Sequence, residues 1–475
     1  MATAFSSDGA EVMQRAVIPA EASGRPPSTR LEEFYELERA AAFVSDNGFT
    51  KVALQFPDEL LPDSASLASK MEAATGAKMY ILGDTSYGSC CVDEVAAEHV
   101  GAEAVVHYGP ACLSPCRKLP VLHVFGRKQL DVARCTEVFR ELHPDPLAHV
   151  VVLNEVAYFH SLDNLVSQLH PIYPNVVFSQ LDNKELQPVP GLVQKFGRHF
   201  VVDSQHGLDN YAMFYVGCEG PELTNFMLSW NRCPFSSFNP QTGQGRRETL
   251  DVNRALRRRL YLVERARDAQ VVGIVVGTLG VADYLSVLEH LRGIIQQAGK
   301  RAYTLAVGKP NPAKLANFLE VDIFVLVACP QNSLLDSADF YRPVVTPYEL
   351  EMACNPARTW TGSYVTDFRH LLPGACEHTP FPDKVSEADS EPSISLITGE
   401  LRSTCLYTAP DPELSSSTSV TCRSYMHMAE SSPAASFLES RSWRGLEQQL
   451  GQSAVTKAVA GRRGIAIAYE DEPSG

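Results

Sequence analysis

At 475 residues the chain is too long for one compact core, and domains of ~100 to 200 residues imply two to four units. Apolar residues make up 45%, a globular fraction, while Lys+Arg 41 against Asp+Glu 56 leaves a net charge of -15, which excludes a phosphate-tracking surface and with it direct nucleic-acid binding. Met1–Ser28 has no apolar core behind a basic start, and the longest apolar run, Val271–Ala282, is broken by glycine and short of the ~20 residues a membrane helix needs. A soluble, cytoplasmic protein with no membrane contact is expected.

Residues 1–31 are rich in Ala, Ser, Pro and Glu and read as a disordered tail. From Leu31 apolar residues recur at helical spacing through Val44. Lys51–Phe56 then reads as a strand, Leu61–Ala74 as a helix ended by Gly76, Met79–Leu82 as a strand, Val92–His99 as a helix and Ala104–Tyr108 as a third strand. Pro120–Phe125 and His149–Val152 continue the strands around a helix near Leu130–Leu142. This alternation predicts a mainly parallel sheet flanked by helices, with ligands collecting at the carboxyl ends of its strands.

A second unit is expected from Asn154, with a helix at Leu162–Leu169, strands at Asn175–Gln180 and Met213–Gly217, and a helix at Leu223–Trp230. Pro188–Gly197 and Cys233–Arg246 read as irregular, and Leu256–Ala269 as a basic amphipathic helix with a solvated face. The third unit has strands at Val271–Val276, Ala302–Val307 and Val321–Ala328, with helices at Tyr284–Gln297 and Pro312–Phe318. The fold class is therefore α/β, three related domains over 32–153, 154–270 and 271–375, followed by a largely disordered stretch 376–435 and a docking segment 436–475.

The 12 cysteines contain no CxxC pair, so a zinc ribbon is not expected, and in a reducing compartment they are thiols. Four follow strands of the first and third units: Cys90 and Cys91 in the loop Gly83–Asp93, Cys112 after Ala104–Tyr108, and Cys329 after Val321–Ala328. Thiolates suit iron–sulfur clusters. Side chains of neighbouring residues in extended backbone point apart, so Cys90 and Cys91 are expected to give one ligand between them. Cys116, Cys135, Cys218, Cys233, Cys354, Cys376, Cys405 and Cys422 read as small buried residues, and the scattered histidines as structural. Gly277–Gly280 between a strand and a helix fits an anion-binding turn or a plain tight one.

The stretches Val52–Asp58, Gly83–Asp93, His107–Cys112, Gly277–Gly280, Val321–Asp322 through Ala328–Pro330, and Thr346–Glu349 together resemble the diphthamide synthase family, in its eukaryotic heterodimeric branch. Ser442–Glu447 and Gly461–Glu472 fit the same branch. The resemblance implies three α/β domains around a central [4Fe-4S] cluster. It also implies a part in the first step of diphthamide synthesis, transfer of a 3-amino-3-carboxypropyl group from S-adenosylmethionine to a histidine of elongation factor 2. Catalytic members carry a cysteine in the middle domain before the strand that matches Phe214–Gly217, and Pro190–Gly197 has none here.

The resemblance thus implies an accessory iron–sulfur subunit with no catalytic residue of its own, its cluster on Cys90 or Cys91, Cys112 and Cys329. Its partners would be the catalytic subunit 1 of diphthamide synthase, elongation factor 2 as substrate and an electron-donor protein. S-adenosylmethionine would act at the level of the complex. A structural partner without a cluster and a self-sufficient homodimeric transferase are the alternatives.

Overall fold

The computed structural model describes residues 31–83, 88–181, 189–204, 206–308, 310–335, 340–382, 393–399 and 401–402, with 457, 464–465 and 468–469. The tail expected over 1–31, apart from Leu31, and most of the stretches expected over 376–435 and 436–475 lie outside them. Among the described residues no helix is long and apolar enough to cross a membrane.

Three mainly parallel sheets carry the fold. The first contains β1 (Lys51–Gln55), β2 (Lys78–Leu82), β3 (Ala104–Tyr108) and β4 (Val121–Val124), in the order β2-β1-β3-β4. In the second unit come β5 (Val150–Asn154), β6 (Val176–Phe178), β7 (Gln180–Leu181), β8 (Leu192–Lys195), β9 (Arg198–Val201), β10 (Ala212–Val216), β11 (Phe235–Asn239) and β12 (Gln244–Arg247). Its main sheet runs β12-β11-β10-β5-β6, while β7-β9-β8 form a small antiparallel layer. The third sheet holds β13 (Val271–Val276), β14 (Arg301–Leu305), β15 (Ile323–Val327) and β16 (Val344–Val345), ordered β14-β13-β15-β16. Counted from its own first strand, each sheet has the same order, second-first-third-fourth. That shared topology makes the three units related.

Central parallel strands are covered on both faces and so read as continuous apolar runs. Every residue of β3, β5 and β15 is buried. The intervening helices start and stop on local chemistry. Asp93 and Asp131 accept hydrogen bonds from Ala96 and Arg134 amides at the starts of helices Glu94–His99 and Val132–Leu142, each cap contributing about 1 kcal/mol. Helix Leu61–Thr75 ends at Gly76, whose φ of 70° is open to glycine.

Strand pairing puts Val150–Asn154 beside β10 and β6, so it belongs to the second sheet. A limit at 153/154 would part that strand from its partners. Helix 132–142 goes with it, packing Cys135, Val138 and Phe139 on Val152 and Phe214. Helix Thr249–Asp268 likewise reaches across, placing Leu262 and Ala266 in the core of the third unit.

Both stretches that read as irregular contain hairpins. Phe196 and Gly197 have φ of 58° and 65°, a two-residue turn joining β8 to β9. A phenylalanine in the first left-handed position hides the usual Asn-Gly or Asp-Gly signal. In β11 the buried Ser236 and Ser237 break the apolar pattern, but each is satisfied, on the Met213 carbonyl at 3.2 Å and Glu248 Oε1 at 2.6 Å.

One partly buried histidine gives the fold a pH limit. His143 bonds Ser236 Oγ at 2.9 Å and packs on Phe139; burial, then Arg247, pushes its pKa down to about 4. Its folded pKa lies below the unfolded value, so its contribution is complete above the unfolded pKa near 6.5 and is lost as pH falls towards 4. Denaturant unfolding should show up to ~3 kcal/mol lost across that window, and the His143→Gln chain should show a flatter pH profile.

Candidate metal centre

The four cysteines that follow strands of the first and third sheets meet. Cys90, Cys91, Cys112 and Cys329 are all buried, and their sulfurs lie within 4.8 Å of one another. Sγ–Sγ distances are 3.9 Å for Cys90–Cys91, 3.8 Å for Cys90–Cys329 and 3.9 Å for Cys112–Cys91. Cys112 and Cys329 occupy matching places, after the third strands of the first and third sheets. Residues 239 positions apart are brought together because the carboxyl ends of two sheets face one another.

Adjacent thiols in extended backbone would diverge. Here the backbone turns instead, the Cys91 amide closing on the Gly88 carbonyl at 3.0 Å, and both side chains point into the group. The loop is held from below by Gln55, at the end of β1 and fully buried. Its Nε2 donates to the Cys91 carbonyl at 2.8 Å, while its Oε1 accepts from the Asp93 amide at 3.0 Å. The Cys112 amide bonds the Cys90 carbonyl at 3.0 Å, joining the two loops of the first unit. His107 Nε2 lies 2.9 Å from the Pro110 carbonyl and fixes the bend that leads to Cys112.

The third unit closes the pocket. Its Gly277 amide bonds the Val327 carbonyl at 2.8 Å. A Cβ at Gly277 would strike Leu326, and one at Gly280 the Val92 carbonyl oxygen. Gly277–Gly280 is therefore a close-packed turn that lets the third sheet approach the double-cysteine loop, and its glycines are explained without an anion.

Electrostatics favour a cationic occupant. Hydrogen bonding with Cys329, Cys90 and Cys91 drives the Cys112 thiol well below its ordinary range. Cys91 is pushed well above it by Cys112, Cys329 and Cys90, and Cys329 by Cys112 and Cys90. Four thiols in a dry pocket cannot ionise together unless positive charge enters. The buried Cys135, Cys233 and Cys354 and the partly buried Cys116 behave as inert groups: desolvation pushes Cys116, Cys135 and Cys233 to about 12 and Cys354 to about 11.

Cys218 marks the corresponding place in the second unit, just after β10, yet it stays apart. Its sulfur is 3.9 Å from Asn239 Oδ1, and its amide lies 3.4 Å from Glu155 Oε2, which pairs through Oε1 with Lys128 at 2.9 Å. Cys376 is exposed, and Cys405 and Cys422 lie outside the described residues. Two residues that shape the pocket, Gln55 and Asn332, are not singled out in the sequence, although Gln55 lies within the stretch Val52–Asp58. The signal for Gln55 was an amide inside the apolar run Val52–Phe56; Asn332 gave none.

A family model of diphthamide synthesis proteins matches residues 56–365. The chain belongs to that family. Its similarity to known relatives runs end to end. It is 66% identical to 2-(3-amino-3-carboxypropyl)histidine synthase subunit 2 of Gallus gallus over 475 residues, covering 99% of each chain. Against the protein of the same name from Xenopus laevis it is 56% identical, again over 99% of each. The crystal structure of Dph2 from Pyrococcus horikoshii with a 4Fe-4S cluster aligns with a TM-score of 0.54 at 21% identity, covering 73% of this chain and 96% of that one. At that identity the likeness establishes the shared fold.

Proposed function

We propose that this chain is the accessory iron–sulfur subunit of a heterodimer that moves the 3-amino-3-carboxypropyl group from S-adenosylmethionine to a histidine of elongation factor 2. The observation that carries the reading is the count of thiols: four in one dry pocket, from two sheets. A [4Fe-4S] cluster has one protein ligand per iron when four thiolates hold it, which leaves no iron open to a substrate. That arrangement suits electron transfer, so cleavage of S-adenosylmethionine falls to the catalytic subunit 1. The relatives' names, which specify a second subunit, support the heterodimer, and the cluster in the archaeal protein of like fold supports the cofactor.

Cys90, Cys91, Cys112 and Cys329 would hold the cluster, which supplies one-electron chemistry when bound. The chain's own part is to fix four sulfurs, exclude water from them and shield them by the turn at Gly277–Gly280. Electrons would come from a donor protein in the cytoplasm, where the thiols stay reduced.

The test is Mössbauer spectroscopy of the anaerobically purified heterodimer whose catalytic subunit has lost its own cluster cysteines. The spectrum of a [4Fe-4S] cluster should remain, assignable to this chain. Its absence after strict reconstitution would leave a structural partner as the better description.

A further inference from the structure

We infer that Asn332 tunes the reduction potential of the four-cysteine centre by donating its side-chain amide to the sulfur of Cys90. Asn332 Nδ2 lies 3.4 Å from Cys90 Sγ and 4.0 Å from Cys91 Sγ. The side chain is placed by the turn that follows Cys329: the amides of Asn332 and Ser333 both bond the Cys329 carbonyl, at 3.0 and 2.9 Å. A residue of the third unit is thereby aimed at the two thiols of the first.

Gly88 makes room for it. A Cβ there would fall on the Asn332 amide nitrogen, with the rest of the Asn332 amide group next in line. No positive φ demands glycine at this position, so the reason for its small size is the space that Asn332 occupies. Two distant positions, 88 and 332, therefore make one device. Neither is a ligand.

The physics of the device is that of any donor beside a cluster thiolate. When a cluster takes up one electron from an external donor, its total charge falls by one, and part of that charge lies on the sulfurs. An N–H aimed at a sulfur stabilises the reduced form more than the oxidised one and raises the potential. The Asn332 amide has no net charge, so it acts through the hydrogen bond to the sulfur alone. An electron-relay role gains from such a donor, because the centre becomes easier to load.

This inference rests on the cluster reading above, and its test separates the two. The heterodimer with the partner's cluster cysteines removed is titrated with dithionite and followed by electron paramagnetic resonance, with iron and sulfide measured alongside. Asn332→Leu should keep its iron while its midpoint falls, a roughly tenfold shift in the reduction equilibrium, or ~59 mV for one electron. Asn332→Asp, which replaces the donor by a negative charge, should lower it further.

Gly88→Ala should lower the midpoint as well, by displacing the amide, and should add little in a chain that already carries Asn332→Ala. An unchanged midpoint with full iron in Asn332→Leu would overturn the inference, and so would additive effects of Gly88→Ala and Asn332→Ala. Loss of iron from Asn332→Leu, Asn332→Asp and Gly88→Ala alike would overturn it too, making the residue a clamp on the loop. No iron in the unsubstituted complex would instead strike at the cluster itself.

Discussion

Replacing Cys329 by alanine should abolish iron binding by this chain while the heterodimer remains assembled. Cys329 is the only thiol the third unit gives to the group, is fully buried, and lies 3.8 Å from Cys90. Loss of even a supporting group around a metal ligand costs ~10 to 100-fold in affinity, and loss of the ligand itself should exceed that. The cavity left is one sulfur atom in the apolar core that Cys329 shares with Val327 and Leu350, at a cost of ~1 kcal/mol. Iron and sulfide analysis, with size-exclusion chromatography of the complex, reads both effects. Retained iron would remove Cys329 from the ligand set; simultaneous loss of the dimer would make the centre structural. Cys116→Ala serves as a control, since that sulfur is outside the group and should leave the iron unchanged.

The same measurement on Cys90→Ala and Cys91→Ala distinguishes the sequence reading from the structure. If one of the pair were a spectator, its replacement would be silent. With both sulfurs in the group, each replacement should lose iron. The sequence expectation and the geometry differ here for a local reason: alternation of side chains holds for extended backbone, and the chain turns between Gly88 and Cys91. The reason Cys112 and Cys329 come to the same place is topological. Both follow the third strand of a parallel sheet, the end at which such sheets present their ligands. Position within a unit could be read; the facing of the first and third units could not, because the contacts that bring Cys329 to Cys90 span most of the chain.

Strands legible from composition were those whose burial is two-sided. Val321–Ala328 and Ala104–Tyr108 have no polar face to confuse the pattern, and the structure builds Ile323–Val327 and Ala104–Tyr108 there. Elements held by polar contacts were missed, as in β11 with its buried serines and in the hairpin turned at Phe196. Helix 249–268 shows the same blindness from another side. Its arginines read as one solvated basic face, and Arg254 is indeed exposed. Arg259, one turn further on, points inward.

That inward arginine carries the largest stability effect expected in the fold. Arg259 Nε and Nη2 donate to the two oxygens of Glu349 at 2.5 and 2.6 Å, with the two side chains 9% and 0% exposed. Burial alone would disfavour the guanidinium's charge, but Glu349 outweighs it and the pKa of Arg259 rises. Glu349 has further duties. It accepts from the Tyr364 hydroxyl at 2.8 Å and from the Thr346 amide at 2.8 Å, closing a capping box at the start of helix Pro347–Cys354.

Glu349→Gln keeps the shape and removes the charge, leaving a buried cation beside a neutral amide. Breaking a buried pair in this way should destabilise the third unit by ~3 to 5 kcal/mol, measured as a lowered midpoint in denaturant. Replacing both partners, as Arg259→Met with Glu349→Leu, should recover part of that loss because no lone charge is left. Recovery should fall short by ~1 to 3 kcal/mol, since the Thr346 amide and the Tyr364 hydroxyl would lose their acceptor. Full recovery in the double variant would mean that those two donors find other partners. Equal loss in the single and double variants would mean that the capping box, and not the ion pair, holds the helix in place.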